Sequence, residues 1–218
     1  MSKTIRLGTR PSRLAIIQAE EIRQRLPLFS FEAVPIKTAG DRDKLTPLSV
    51  FEKSDFFTYE IEKALLNGTI DAALHSAKDL EEMPPVGLVV AAMTRSISAS
   101  ECLISKEGLG LDKLPLNSVI GTSSRARRAS IIRFRRDLKV KDIRGNVDER
   151  IGQLDAGGFD AIIVAHAALI RLGYEDRISE IIPQDIVRPH PLQGRLSVQV
   201  NIDRPDMIRL FRSIDERS

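Results

Sequence analysis

Short apolar runs alternate with helical stretches from one end of the chain to the other, the signature of repeated strand–helix–strand units around a largely parallel sheet. An α/β fold follows. Residues 5–8 read as a strand, and Ser12 is placed to cap a helix reaching about Leu26, with Leu14, Ile17, Ile22 and Leu26 at near-helical spacing. Residues 31–36 form the next strand, followed by a Thr38-Ala39-Gly40-Asp41 turn and a polar stretch, 42–55, with the character of a mobile loop. A helix over about 58–66 closes at Asn67 and Gly68, and residues 70–74 and 88–93 are strands. Beyond a serine-rich connector at 96–100 a second series begins. It has strands at 102–105, 119–121, 140–143 and 161–165, helices at about 124–135 and 147–155, and then a strand at 196–200 and a helix around 205–214.

Composition narrows the class. The 218 residues are 42% hydrophobic and 29% charged, the balance of a soluble globular protein. The longest apolar stretches, 88–93 and 161–170, fall short of the ~20 residues a membrane span needs. Lys3, Arg6 and Arg10 near the start are not followed by an apolar block, so no exported leader is expected and the cytoplasm is the expected location. Cys102 is the only cysteine, which excludes an internal disulfide and a multi-thiolate metal site. His75, His166 and His190 lack metal-ligand spacing, and no metal is expected.

The formal net charge is only +3, yet Arg125, Arg127, Arg128, Arg133, Arg135 and Arg136 are clustered. Such a cluster invites a nucleic-acid reading, because guanidinium groups neutralise phosphates. With no Trp in the chain and only Phe134 inside the cluster, a stacking platform is poorly supported, and no nucleic-acid partner is expected. A solvated helix face accounts for Arg133 and Arg136. It accounts less well for Arg125 and Arg127, which follow a Gly-Thr-Ser-Ser turn where an anionic small molecule would be held.

That turn has an echo. Gly8-Thr9-Arg10-Pro11-Ser12-Arg13 and Gly121-Thr122-Ser123-Ser124-Arg125 both set Gly-Thr, a hydroxyl and an arginine between a strand and a helix. Each aims backbone N–H groups and the positive end of a helix dipole at one point, a cradle for carboxylate or phosphate or, more simply, a helix cap. Two copies point to two similar domains whose sites face a shared cleft. His75-Ser76-Ala77-Lys78-Asp79 follows a strand, where open sheets place function, although Ser76 as a cap and a local Lys78–Asp79 pair would also explain it. No nucleophile elbow, Walker loop or dinucleotide fingerprint is present.

Together with Asp142-Ile143-Arg144-Gly145-Asn146-Val147 and Arg150, Phe159-Asp160-Ala161-Ile162-Ile163, Arg171-Leu172-Gly173 and Gln193-Gly194, these motifs run in order from Ile5 to about Val200, and the chain resembles the porphobilinogen deaminases (hydroxymethylbilane synthases). The resemblance implies an α/β fold of two periplasmic-binding-protein-like (type II) domains with a cleft between them. Domain 1 would comprise 1–95 plus 191–218 and domain 2 96–190, as in shortened forms without the third, cofactor-bearing domain. It implies an enzyme, a transferase condensing four porphobilinogens with loss of ammonia in tetrapyrrole (haem) biosynthesis. The alternative is a non-catalytic two-lobed binder of a polycarboxylate or pyrrole ligand.

By the same resemblance Asp79 is the catalytic carboxylate. Lys78, Ser76, Asp41, Ser123, Arg127, Arg144 and Gly145 are cofactor-binding, and Arg10, Ser12, Arg150, Arg171, Ser124 and Gln193 meet the substrate. Polycarboxylate pyrroles are the expected small-molecule partners, with no membrane partner. Any dipyrromethane cofactor is expected without a bond to the family's usual cysteine. Cys102 reads instead as a buried strand residue. Two departures stand out: Ala126 replaces the first of a usual arginine pair, and Glu52-Lys53-Ser54-Asp55 replaces a Gly-Gly-Lys-Gly loop.

Overall fold

The computed structural model describes residues 4–43, 46 and 54–217. They divide into two compact units, residues 4–42, 54–97 and 194–217 in the first and residues 43, 46 and 98–193 in the second. Each has its own five-stranded sheet.

In the first unit, strand β1 (Ile5–Thr9) leads into helix α1 (Arg13–Arg25). Ser12 starts that helix: its Oγ accepts the Ala15 N–H at 3.2 Å, satisfying a donor the first turn leaves open. Strand β2 (Phe31–Pro35), helical turn α2 (Ala39–Arg42), helix α3 (Tyr59–Leu66), and strands β3 (Ala72–Ser76) and β4 (Leu88–Met93) follow. After the second unit the chain returns through strand β10 (Leu196–Asn201) and helix α7 (Pro205–Arg212). Helices α1 and α7 bury Ile22 and Phe211 against Leu7, Leu74 and Val198, while α3 buries Ile61 and Leu65 against Ile70, Ala73 and Leu88. Each such large apolar side chain contributes about 1.5–3 kcal/mol.

The second unit holds strands β5 (Glu101–Ser105), β6 (Val119–Gly121), β7 (Lys139–Lys141), β8 (Ala161–Ala165) and β9 (Glu180–Ile182). Its helices are α4 (Arg125–Phe134), α5 (Val147–Asp155) and α6 (His166–Leu172). Asn146 opens α5 with a reciprocal capping box, its side chain taking the Glu149 N–H while Glu149 takes that of Asn146. Ile131 of α4 packs on Leu103, Ile120 and Ile163, and Ile151 and Leu154 of α5 pack on Cys102, Ile104 and Ile162.

Both sheets are largely parallel, as expected, and share one plan in which four strands run one way and a single strand the other. The order β2-β1-β3-β10-β4 has β1 parallel to β2 and β3, and β10 antiparallel to both β3 and β4. The order β7-β6-β8-β5-β9 repeats this, with β6 parallel to β7 and β8, and β5 antiparallel to β8 and β9. In each sheet one strand enters from the other end. The strand expected at 70–74 runs over Ala72–Ser76, because the Asp71 carboxylate takes the Arg6 N–H at 3.0 Å and delays the ladder. Residues 38–42 wind into α2, held by Asp41 Oδ2 accepting from Thr38 N and Oγ1 at 3.1 and 2.9 Å. The loop expected over 42–55 lies mostly outside the described residues, as do Glu52 and Lys53, while Ser54–Phe57 form a 3-10 turn. Helix α6 and strand β9 were not expected.

Candidate functional site

The carboxyl ends of β1 and β3 in the first unit enclose a hollow lined by Thr9, Arg10, Ser12, Gln18, Phe57, His75, Ser76 and Asp79. Arg10 leaves β1 and is aimed by two partners. Its Nε donates to Asp41 Oδ1 at 3.1 Å and its Nη2 also meets that oxygen, while its Cζ stands 4.3 Å from the centre of the Phe57 ring. Burial pushes the Asp41 carboxyl up, but the Arg10 guanidinium and Thr38 outweigh it and hold it below the ordinary aspartate value. Asp41 is therefore an ionised brace behind Arg10.

Ser76 ends β3 and its Oγ accepts from Gln18 Nε2 at 3.2 Å. Ala77–Asp79 form a 3-10 turn that carries Lys78 and brings Asp79 to the rim. Asp79 forms no ion pair among the described residues. His75 lies in the floor. Burial drives its imidazole down to about 4, Gln199 opposes that shift, and the charge of Arg10 adds to it. Gln18 and Phe57 were not singled out from the sequence, whereas Thr9 belongs to the Gly-Thr turn that was. Gln18 carried a readable signal, a polar residue on the buried stripe of α1 beside Ala15, Ala19 and Ile22.

In the second unit, Ser123, Ser124, Arg127, Arg144, Gly145 and Arg150 gather where β6 and β7 give way to α4 and α5. Ser124 Oγ accepts the Arg127 N–H at 3.3 Å, so the echo of Ser12 in α1 is structural. Ser123 Oγ donates to Ile143 O at 2.6 Å and accepts from Ile143 N at 3.1 Å, pinning the two turns together. Gly145 has φ +103°, and a Cβ there would stand 2.6 Å from Glu149 Oε2, so the turn takes glycine. Arg150 Nε donates to Gly145 O at 2.8 Å, and Arg144 Nη2 to Asp43 O at 2.6 Å.

Arg127 departs from the expected ligand contact. Its Nε and Nη2 donate to Glu101 at 2.9 and 2.6 Å, and its Nη1 to Ile163 O at 3.1 Å, because a buried carboxylate on interior strand β5 must be paired. Arg128 is bound to Val140 O and Asp142, and Arg135 to Asp137, so these arginines of the cluster are spent within the unit. Arg171 lies in the last turn of α6. Gln193 is 1% exposed, and its amide ties down Ala99 O and Ser100 O at 2.9 and 3.0 Å. Cys102 is fully buried in β5; burial and the neighbouring Glu101 push its thiol up to about 12 against the pull of Arg127. Among the described residues no cluster of three or more metal-ligating side chains occurs, and no helix is long and apolar enough to cross a membrane.

The family model described as "Porphobilinogen deaminase, dipyromethane cofactor binding domain" matches residues 5–209. The porphobilinogen deaminase of Pelotomaculum thermopropionicum is 39% identical over 221 residues, covering 100% of this chain and 71% of that protein. That of Rubrobacter xylanophilus is 40% identical over 218 residues, covering 99% and 71%. Among solved structures, the Bordetella pertussis BvgS VFT2 domain aligns with a TM-score of 0.54 at 13% identity, covering 97% of this chain and 86% of that one. A periplasmic substrate-binding protein of an ABC transporter from Coxiella burnetii aligns at 0.53 with 15% identity, covering 96% and 91%. These two likenesses concern the fold, two units of the periplasmic-binding-protein type.

Proposed function

Because the chain belongs to the porphobilinogen deaminase family, we propose that it is a transferase of the hydroxymethylbilane synthase type, condensing porphobilinogens head to tail with loss of ammonia in the cytoplasm. The observation that carries this reading is the place of Asp79, on the rim of a hollow it shares with Arg10, Ser12 and Ser76.

Breaking the bond between the aminomethyl carbon and nitrogen sends the electron pair out with ammonia and leaves an azafulvene electrophile. Positive charge then resides on its ring nitrogen and on that of the attacking pyrrole. A carboxylate fixed beside those nitrogens lowers the barrier because it needs no reorientation as the charge develops. Asp79 is that group. Porphobilinogen carries acetate and propionate, and Arg10, braced by Asp41 and Phe57, offers a pre-aimed guanidinium to one of them, with Ser12 adding a hydroxyl. Arg150, Arg171 and Ser124 are the further substrate contacts in this reading, whereas the Gln193 amide holds the backbone of Ala99 and Ser100.

Dipyrromethane is the cofactor of the family. Hydroxyl, ammonium, guanidinium and backbone N–H donors are the kinds of group a tetracarboxylate needs, and Ser76, Lys78, Arg144, Gly145 and the capped start of α4 are its proposed holders. Asp41 acts one step behind, through Arg10, while Arg127 fastens the start of α4 to β5 through Glu101. When bound, the cofactor supplies the free pyrrole end from which the chain grows.

Purified protein incubated with porphobilinogen, with and without a preuroporphyrinogen-type primer, should give uroporphyrin fluorescence in at least one arm. No product in either arm, with a polycarboxylate pyrrole still retained, would instead make the protein a binder.

A further inference from the structure

His75 forms part of the floor of the hollow that holds Asp79, yet it is only 5% exposed and its Nε2 is buried with no hydrogen-bond partner. The register pairs His75 with Ser197 and Ala73 with Gln199, so His75 and Gln199 share the face of the sheet covered by α3. Gln199 Nε2 donates to Glu62 Oε1 of α3 at 2.9 Å. That bond fixes the amide. Its nitrogen points to α3, and its Oε1, itself buried and otherwise unpartnered, is left as an acceptor beside the imidazole.

We propose that Glu62 and Gln199 hold His75 as the neutral Nε2–H tautomer, so that its Nδ1 lone pair is a fixed hydrogen-bond acceptor for an N–H of the pyrrole substrate. The inference rests on the hollow being the porphobilinogen site. Nε2 is the donor because Gln199, the side chain that interacts with the ring, has its amide nitrogen committed to Glu62 and turns its unpartnered oxygen to the orphaned Nε2; Nδ1 is then bare. The charged groups around the ring are Arg10 and Asp79 across the hollow and Glu62 behind Gln199. Arg10 and burial both oppose a proton on the ring. A charged imidazole would also repel the substrate ammonium and compete for Asp79. Neutral, it receives a hydrogen bond without drawing on the negative charge that the ring nitrogens need.

The test begins with the whole chain carrying 15N-labelled histidine. Nitrogen NMR of His75 should show a protonated Nε2 and a bare Nδ1 from pH 8 to pH 6. An Nδ1–H tautomer, or an imidazolium at pH 6, overturns the proposal. His75→Asn keeps an acceptor near the Nδ1 position, whereas His75→Leu removes it. kcat/KM should fall about 10–100-fold in H75L, the worth of one buried hydrogen bond, but less than about 5-fold in H75N, with the wild-type pH profile. Equal losses in the two variants overturn it. Binding of a pyrrole dicarboxylate lacking the aminomethyl group locates the donor: weakened binding in H75L marks the ring N–H, and unchanged binding with weakened porphobilinogen binding marks the ammonium. No loss for either ligand overturns the proposal. If H75L does not fold, the tautomer measured in the wild type decides. A wild type without turnover defeats the functional reading but leaves that measurement standing.

Discussion

Arg127 and Glu101 face each other through two hydrogen bonds of 2.9 and 2.6 Å, with side chains only 12% and 4% exposed. The pair spans from the first turn of α4 to strand β5, so it fastens a helix start to the sheet beneath it. Glu101→Gln should cost about 3–5 kcal/mol in urea unfolding, because it leaves a buried guanidinium without its counter-charge. Restoring shape without charge, as Glu101→Gln with Arg127→Met, should recover much of that loss. A single variant as stable as the parent would mean that the pair does not fasten α4.

Asp79→Asn keeps the size of the side chain and removes its charge. In the proposed reaction kcat should fall about 100–1,000-fold with little change in KM, as for loss of one preorganised electrostatic group. Arg10→Leu should act the other way, raising KM more than it lowers kcat. Steady-state kinetics on porphobilinogen separates the two patterns.

Acid should expose the Asp71 cluster. Burial raises this carboxyl, but Arg6 and Arg204 overcome that and hold it at about 2, well below the ordinary aspartate range. A lowered folded-state value means the unfolded chain binds the proton more readily, so the stabilisation is full above about pH 4 and fades as the pH falls through about 2. Its worth is about 1–2 kcal/mol, because the carboxylate is buried while both arginines remain partly exposed. The difference in unfolding free energy between the parent and Asp71→Asn should shrink over that interval.

Cys102 should resist alkylation in the folded protein and react at once in denaturant, since a buried thiol pushed up to about 12 holds almost no thiolate at neutral pH. Intact mass of protein made in a porphobilinogen-competent cell should show no adduct on Cys102. A dipyrrole on that residue would contradict the packing around β5.

The alternation of apolar runs made both sheets legible, and Ser12 and Ser124 were readable as helix starts because capping depends on residues three positions away. The rim at Asp79 was also legible, since it follows a strand. Strand direction was not: nothing local in residues 196–201 says that they insert antiparallel between β3 and β4. Nor does one apolar run over 161–170 reveal where β8 stops and α6 begins, because a buried strand and a buried helix share that composition. The fate of Arg127 was hidden for a different reason. Its partner is 26 residues away on a strand, and only the folded chain brings them together.

The insertion of β10 between β3 and β4 sets an order of assembly. Residues 98–193, which carry the whole second sheet, emerge from the ribosome before the strand that completes the first one. Until Leu196–Asn201 arrive, β3 and β4 have no shared neighbour, and the segment bearing Asp79 waits beside an open strand edge. The nascent first sheet is thus the aggregation-exposed stage of biogenesis, and its completion is delayed by a closure across some 120 residues, measured from His75 to Ser197.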